Sequence, residues 1–120
     1  MKAYKVFRIQ NNELTSISTY FMEKKYFVYS KNKKNHRIVG CGPYCAFDKL
    51  EDAEKFKEEM INDEKSINLK IFEVEGTKSE DVCVYTSNPC TLKIENILFL
   101  PKGIMLLLDD FTIVKEVIKC

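Results

Sequence analysis

The sequence is poor in the residues that carry most enzyme chemistry and backbone specialisation, with one histidine, four glycines and three prolines in 120 residues. Nucleophilic catalysis of the Ser-His-acid or Cys-His kind would have to use His36, which follows the polar run Lys31 to Asn35 and reads as a solvated loop histidine. Gly40, Gly42, Gly76 and Gly103 do not assemble a phosphate-cradling loop. No apolar run approaches the roughly 18 residues of a membrane span. The longest candidate is Ile104 to Leu108, and Met1 leads into charged, alternating sequence rather than a secretory signal. The expectation is a cytoplasmic protein with no membrane partner. Few Gly and Pro, 45% hydrophobic and 31% charged residues mark a folded chain. Its length suits one core in a single domain, residues 1–120.

The five cysteines, Cys41, Cys45, Cys83, Cys90 and Cys120, are an odd set without an export signal, so reduced thiols are expected. Cys41-Gly-Pro-Tyr-Cys45 has one residue more than a thioredoxin-like Cys-Gly-Pro-Cys signature. Its second thiol precedes the expected helix start, so ordinary core cysteines are the better reading. Zinc needs compact ligand pairs, and neither the Cys41/Cys45 nor the Cys83/Cys90 spacing supplies one. Asp109-Asp110 reads as a turn rather than an acid/base pair. No catalytic residue, metal site or cofactor is expected.

The backbone reading centres on Val39 to Met60, a Gly-Pro turn running into the only convincing helix. Asp48 is a good N-cap, Glu51 completes a capping box, and Leu50, Ala53, Phe56 and Met60 recur at helical spacing. Strands are expected at Lys2 to Ile9, with one side partly wet at Lys5 and Arg8, and at Leu14 to Ile17 after an Asn11-Asn12 turn. A third strand at Tyr26 to Tyr29 precedes an exposed basic loop. Arg37 to Val39 and Tyr44 to Phe47 read as short extended pieces. Ile67 to Val74 is a strand that reaches a turn at Gly76, with a phase shift at Ile71-Phe72 that implies a bulge or cover on both faces. Further extended segments fall at Val82 to Tyr85, Leu92 to Ile94 and Ile97 to Leu100. After a Pro101 to Gly103 turn come Ile104 to Leu108, the Asp109-Asp110 turn and Thr112 to Ile118, a meander. The fold class is α+β, a mostly antiparallel sheet with one main helix at about residues 48–62 packed on one face; the alternative is a half-open barrel plugged by that helix.

Net charge is only +1, but residues 1–40 carry nine Lys or Arg against two Glu, and residues 41–120 ten against sixteen acids. That asymmetry suits an anionic partner for the first part, or unlike faces meeting between subunits of a homo-oligomer. The same part holds tyrosines among its basic residues. The candidate binding residues are Tyr4, Arg8, Tyr26, Tyr29, Lys33, Lys34, Arg37 and Tyr44. A pI of about 7.6 argues against extended nucleic acid.

The motifs Tyr4-Lys5-Val6-Phe7-Arg8, Gly42-Pro43 with Phe47-Asp48, Ala53 with Phe56, and Ile71-Phe72-Glu73-Val74-Glu75 resemble a group of small phage and bacterial proteins. Pro101 to Gly103 and Val114 to Val117 look similar as well. The cysteines around Gly42-Pro43 and the insert near Asn88 depart from the pattern. The resemblance implies a shared fold and a phage or prophage origin, with no catalytic residues. The expected function is a non-catalytic binding protein, an accessory or anti-defence factor that inhibits a host protein. The alternative is sequestration of a small anionic, nucleotide-like signalling molecule by an oligomer, and a small enzyme ranks third.

Overall fold

The computed structural model describes residues 1–19, 26–36, 44–63, 65–80, 83–87, 94–99 and 106–118. The alternating N-terminal segment forms β1 (Lys2–Gln10), and Asn11 and Asn12 adopt φ of 53° and 63° to return the chain into β2 (Glu13–Thr19). Asparagine tolerates this left-handed conformation better than most residues, which is what a two-residue hairpin turn requires. Three short strands follow: β3 (Tyr26–Val28), β4 (Asn35–His36) and β5 (Tyr44–Ala46). Next come α1 (Leu50–Asp63), β6 (Leu69–Lys78), β7 (Cys83–Ser87), β8 (Ile94–Phe99) and β9 (Leu106–Glu116). Every strand pairing is antiparallel, so the class is α+β with a single helix among the described residues. None of the described helix is long and apolar enough to cross a membrane.

The main sheet runs β3-β2-β1-β6-β9-β4, and β5 also pairs with β9. Five strand spacings separate β3 from β5, roughly 24 Å if the sheet were flat. Yet the rings of Tyr29, just after β3, and Tyr44, on β5, lie 5.7 Å apart. The sheet therefore curls into a half-barrel. Phe47 closes part of its circumference by exchanging both backbone hydrogen bonds with Tyr4 of β1, at 2.8 and 2.7 Å. Register shifts between β6 and β9 at Glu73/Val74 and Thr77/Lys78 supply the extra twist and bend that such curling needs.

Period-two alternation sorts the apolar residues into two clusters. Ala3, Phe7, Leu14, Tyr29, Tyr44, Ala46, Phe72, Val74, Leu108 and Phe111 form one. Val6, Phe47, Ala53, Ile67, Leu69 and Ile71 form the other, against which Leu50, Phe56, Met60 and Ile61 of α1 pack. Ile71 and Phe72 are neighbours buried in different clusters, so the phase shift in the sequence reflects a strand covered on both faces.

Several boundaries differ from expectation. Lys49 O accepts the first helical bond, from Ala53 N, so Lys49 is the N-cap and Asp48 precedes it. The cause is Phe47: its N–H and C=O are held by Tyr4, and the chain needs one more residue to turn out of the bridge. The strand does not stop at Gly76 but runs through to Lys78, and Asp109-Asp110 is not a turn but the middle of a continuous β9. Partners on both edges of β9, β6 on one and β4 and β5 on the other, occupy the backbone groups that a turn would have released. The C-terminal half is not a simple meander, because β6 pairs directly with β9 and β7 and β8 make a two-stranded sheet of their own. The turns expected at Gly42-Pro43 and Pro101 to Gly103, the segment Arg37 to Val39, and Cys41, Cys90 and Cys120 lie outside the described residues.

At Gly76 the backbone of β9 comes close to that of β6. A Cβ there would sit 2.4 Å from the backbone oxygen of Asp110 and 3.1 Å from Leu108 Cδ1. Gly76→Ala must push the two backbones apart and is expected to cost about 2 kcal/mol or more, read as a lower urea midpoint. An unchanged midpoint would mean that β9 yields freely at this point.

Candidate functional site

Strand β1 places Ala3, Lys5, Phe7 and Ile9 on one face and Tyr4, Val6 and Arg8 on the other. Lys5 therefore shares a face with three apolar residues, and it is buried, only 7% exposed, rather than on a wet side. Its Nζ lies 5.5 Å from the ring centroid of Tyr29, 5.6 Å from Phe7, 5.7 Å from Phe111 and 5.8 Å from Tyr44. The rings also brace one another. Phe111 meets Tyr44 edge-on at 5.0 Å and Tyr29 at 5.4 Å, and Phe7 meets Tyr29 at 5.3 Å. The result is an aromatic box around an ammonium group.

The amine donates one hydrogen bond, 2.8 Å, to the carbonyl of Cys45. Tyr4 pairs with Phe47, so the next rung of an antiparallel ladder would join Val6 to Cys45, but the bridge is isolated. Lys5 Nζ takes the Cys45 carbonyl in its place. Aromatic faces attract the cation while removal from water disfavours it. Burial wins, pulling the Lys5 amine from 10.5 down to about 8, with Cys45 the opposing influence. Burial likewise pushes the Tyr29 phenol up, as do Tyr44 and Cys45, and pushes the Cys45 thiol up against the lowering influence of Lys5. An amine lowered in this way is a common feature of reactive lysines, but this one is enclosed by packed rings.

The second feature lies at the box's edge. Tyr29 N still bonds to Leu14 O of β2, at 2.8 Å, whereas Asn35 and His36 pair with Phe111 and Asp110 of β9. Residues 30–35 thus carry the chain from one end of the curled sheet to the other. Asn35, 6% exposed, pins this strap: its Oδ1 accepts from Ser30 N at 2.9 Å, and its Nδ2 donates to Ser30 O at 3.0 Å and Lys33 O at 3.5 Å. The Tyr44 hydroxyl donates to the His36 carbonyl. Between these anchors Lys31, Lys33 and Lys34 are exposed, and His36 follows, also exposed.

Of the residues singled out from sequence, Tyr29 and Tyr44 come together, but as buried walls of the box rather than as exposed stacking surfaces. Lys33 and Lys34 lie on the strap. Tyr4 packs beside the helix-side cluster with Lys2 Nζ 5.7 Å from its ring centroid. Arg8 sits on the face of β1 opposite Lys5, and Thr15 Oγ1 donates to its carbonyl at 3.1 Å. A pocket gathering Arg8 with Tyr29 and Tyr44 is therefore not formed. Tyr26 belongs to β3, and Arg37 lies outside the described residues. Phe111 and Asn35 are not among the residues expected from the sequence, and Lys5, expected on a partly wet side, is buried. The available signal for Lys5 was its parity with Ala3, Phe7 and Ile9; none marked Asn35. Cys45 is a free thiol, and no cluster of three or more metal-ligating side chains occurs among the described residues.

Compared with protein-family models, curated proteins and solved structures, the chain matches none.

Proposed function

We propose that this chain is a non-catalytic binding protein whose contact surface is the lysine strap, and that its partner is an acidic face of another protein. The supporting observation is the fixation of the strap: a buried Asn35 with three hydrogen bonds to Ser30 and Lys33 holds Lys31, Lys33 and Lys34 outward. Ordering a loop before binding lowers the entropy lost on association, and clustered cations speed encounter with an acidic surface. Ala53 of the helix shares a cluster with Val6 and Ile71, which supports a helix packed on the sheet face opposite the box. The resemblance of the sequence to small phage and bacterial proteins supplies the setting, a phage or mobile-element accessory or anti-defence factor that inhibits a host protein. Sequestration of a small anion by an oligomer has less support, since Tyr29 and Tyr44 face Lys5 and Arg8 faces away.

The test is affinity capture from bacterial lysate with three baits: the wild type, the triple variant Lys31→Glu, Lys33→Glu, Lys34→Glu, and Asn35→Ala. A partner held by the wild type is expected to bind the triple variant at least about tenfold more weakly and to be released by added salt. Asn35→Ala keeps the charges but frees the strap, and should weaken binding several-fold. Equal retention by the triple variant would remove the strap from the contact.

A further inference from the structure

Closure of the half-barrel between β1 and the Tyr44–Phe47 segment rests on one backbone bridge, Tyr4 with Phe47, and on the Lys5 amine at the next carbonyl. Everywhere else β1 is held by continuous ladders, to β6 from Lys2 to Arg8 and to β2 from Arg8 to Gln10. The seam is therefore the part of β1 with the fewest bonds to break. We propose that it is a proton-operated latch, looser when Lys5 carries its proton and tighter when the amine is neutral.

Both forms of the amine can donate to the Cys45 carbonyl, so the bond itself does not switch. What changes is the cost of keeping an ammonium group in a dry interior, which is relieved if the seam parts and the long side chain reaches water. Among the described residues, the titratable groups around Lys5 are the Cys45 thiol and Tyr44 phenol from β5 and the Tyr29 phenol from the segment after β3. β6 and β9 contribute Phe72 and Phe111, and no described carboxylate bonds to Lys5. Glu73 of β6 instead pairs with Lys2, at 3.2 Å. No neighbouring anion among the described residues therefore retains the proton, and burial pushes the Tyr29 phenol and the Cys45 thiol up, which favours their neutral forms.

The measurement is amide hydrogen exchange of the wild-type protein by NMR at pH 7 and pH 9, with protection factors corrected for intrinsic exchange. The Tyr4 and Phe47 amides, which bridge the seam, are expected to be less protected than amides of the β6–β9 ladder. Their protection should rise roughly tenfold between the two pH values, the shift given by an amine at about 8 when closed and 10.5 when open. Cys45, if exposed in the open form, trims this to about fivefold. In Lys5→Met the rise should vanish. Seam amides as protected as the β6–β9 amides, or with protection that does not change with pH, would overturn the proposal, as would a rise that survives in Lys5→Met. Should that variant fail to fold, the side-chain NMR titration of Lys5 in the wild type serves instead, and a midpoint at the ordinary lysine value would equally overturn it.

Discussion

Phe111→Ala is expected to destabilise the protein by about 3–5 kcal/mol, the largest effect of any single substitution considered. Phe111 is fully buried, and its ring touches those of Phe7, Tyr29 and Tyr44 while facing the Lys5 amine. Truncation loses the transfer energy of the ring and leaves a cavity that rigid strands on both sides of β9 cannot close. A domain of this size has a total stability of about 5–15 kcal/mol, so the variant sits near the edge of folding. Urea denaturation provides the comparison, with Val114→Ala, at a site 52% exposed on the same strand, as a control expected within about 0.5 kcal/mol of wild type. A loss below about 1 kcal/mol for Phe111→Ala would show that the box is not the centre of the core. Phe111→Leu separates volume from ring electrostatics, because it restores most of the packing without a face for the cation.

The second large effect is a dependence of stability on pH that runs opposite to the usual lysine case. The folded-state amine of Lys5 releases its proton near 8 and the unfolded one near 10.5. Between those values the unfolded state holds more protons, so stability rises with pH; below about 8 both states are protonated and the full cost of the buried charge is present. The difference corresponds to about 3 kcal/mol. Cys45 and Tyr29, pushed up by burial, act in the other direction. Their folded forms keep protons that the unfolded chain gives up above its ordinary 9.0 and 10.0, which removes stability at high pH. The expected profile climbs from pH 7.5 to about 9, flattens and then falls above about 10. Lys5→Met should abolish the climb and be about 1–2 kcal/mol more stable than wild type at pH 7, the gain limited by a Cys45 carbonyl left without its donor. Thermal unfolding across this range checks both statements, and a wild type whose stability falls steadily from pH 7 to 9 would contradict them.

Much of the fold is local and was readable. The Asn11-Asn12 hairpin, the spacing of Leu50, Ala53, Phe56 and Met60, and the double burial of Ile71 and Phe72 each follow from conformational preference or periodicity over a few residues. The element boundaries that differ from expectation are places where a distant partner overrules a local preference. Asp109-Asp110 and Gly76 carry strong turn chemistry, yet β9 has neighbours on both edges, and Gly76 is needed because the Asp110 backbone comes so close. Asp48 yields the N-cap to Lys49 because Tyr4, far away in sequence, holds Phe47.

For the candidate site, the basic strap was visible as a run of Lys and Asn, and the parity of Lys5 with Ala3 and Phe7 could have separated it from Arg8. Neither the box nor the pin was visible. The sequence by itself determined which residues alternate, where the helix lies and how charge divides between the two ends of the chain, since these depend on neighbours within a few positions. Only the tertiary structure decided that the sheet curls until Tyr29 meets Tyr44, that Lys5 is enclosed and that Asn35 is turned inward. Those outcomes arise from the pairing of strands far apart in the chain, and no local propensity encodes which edge will meet which.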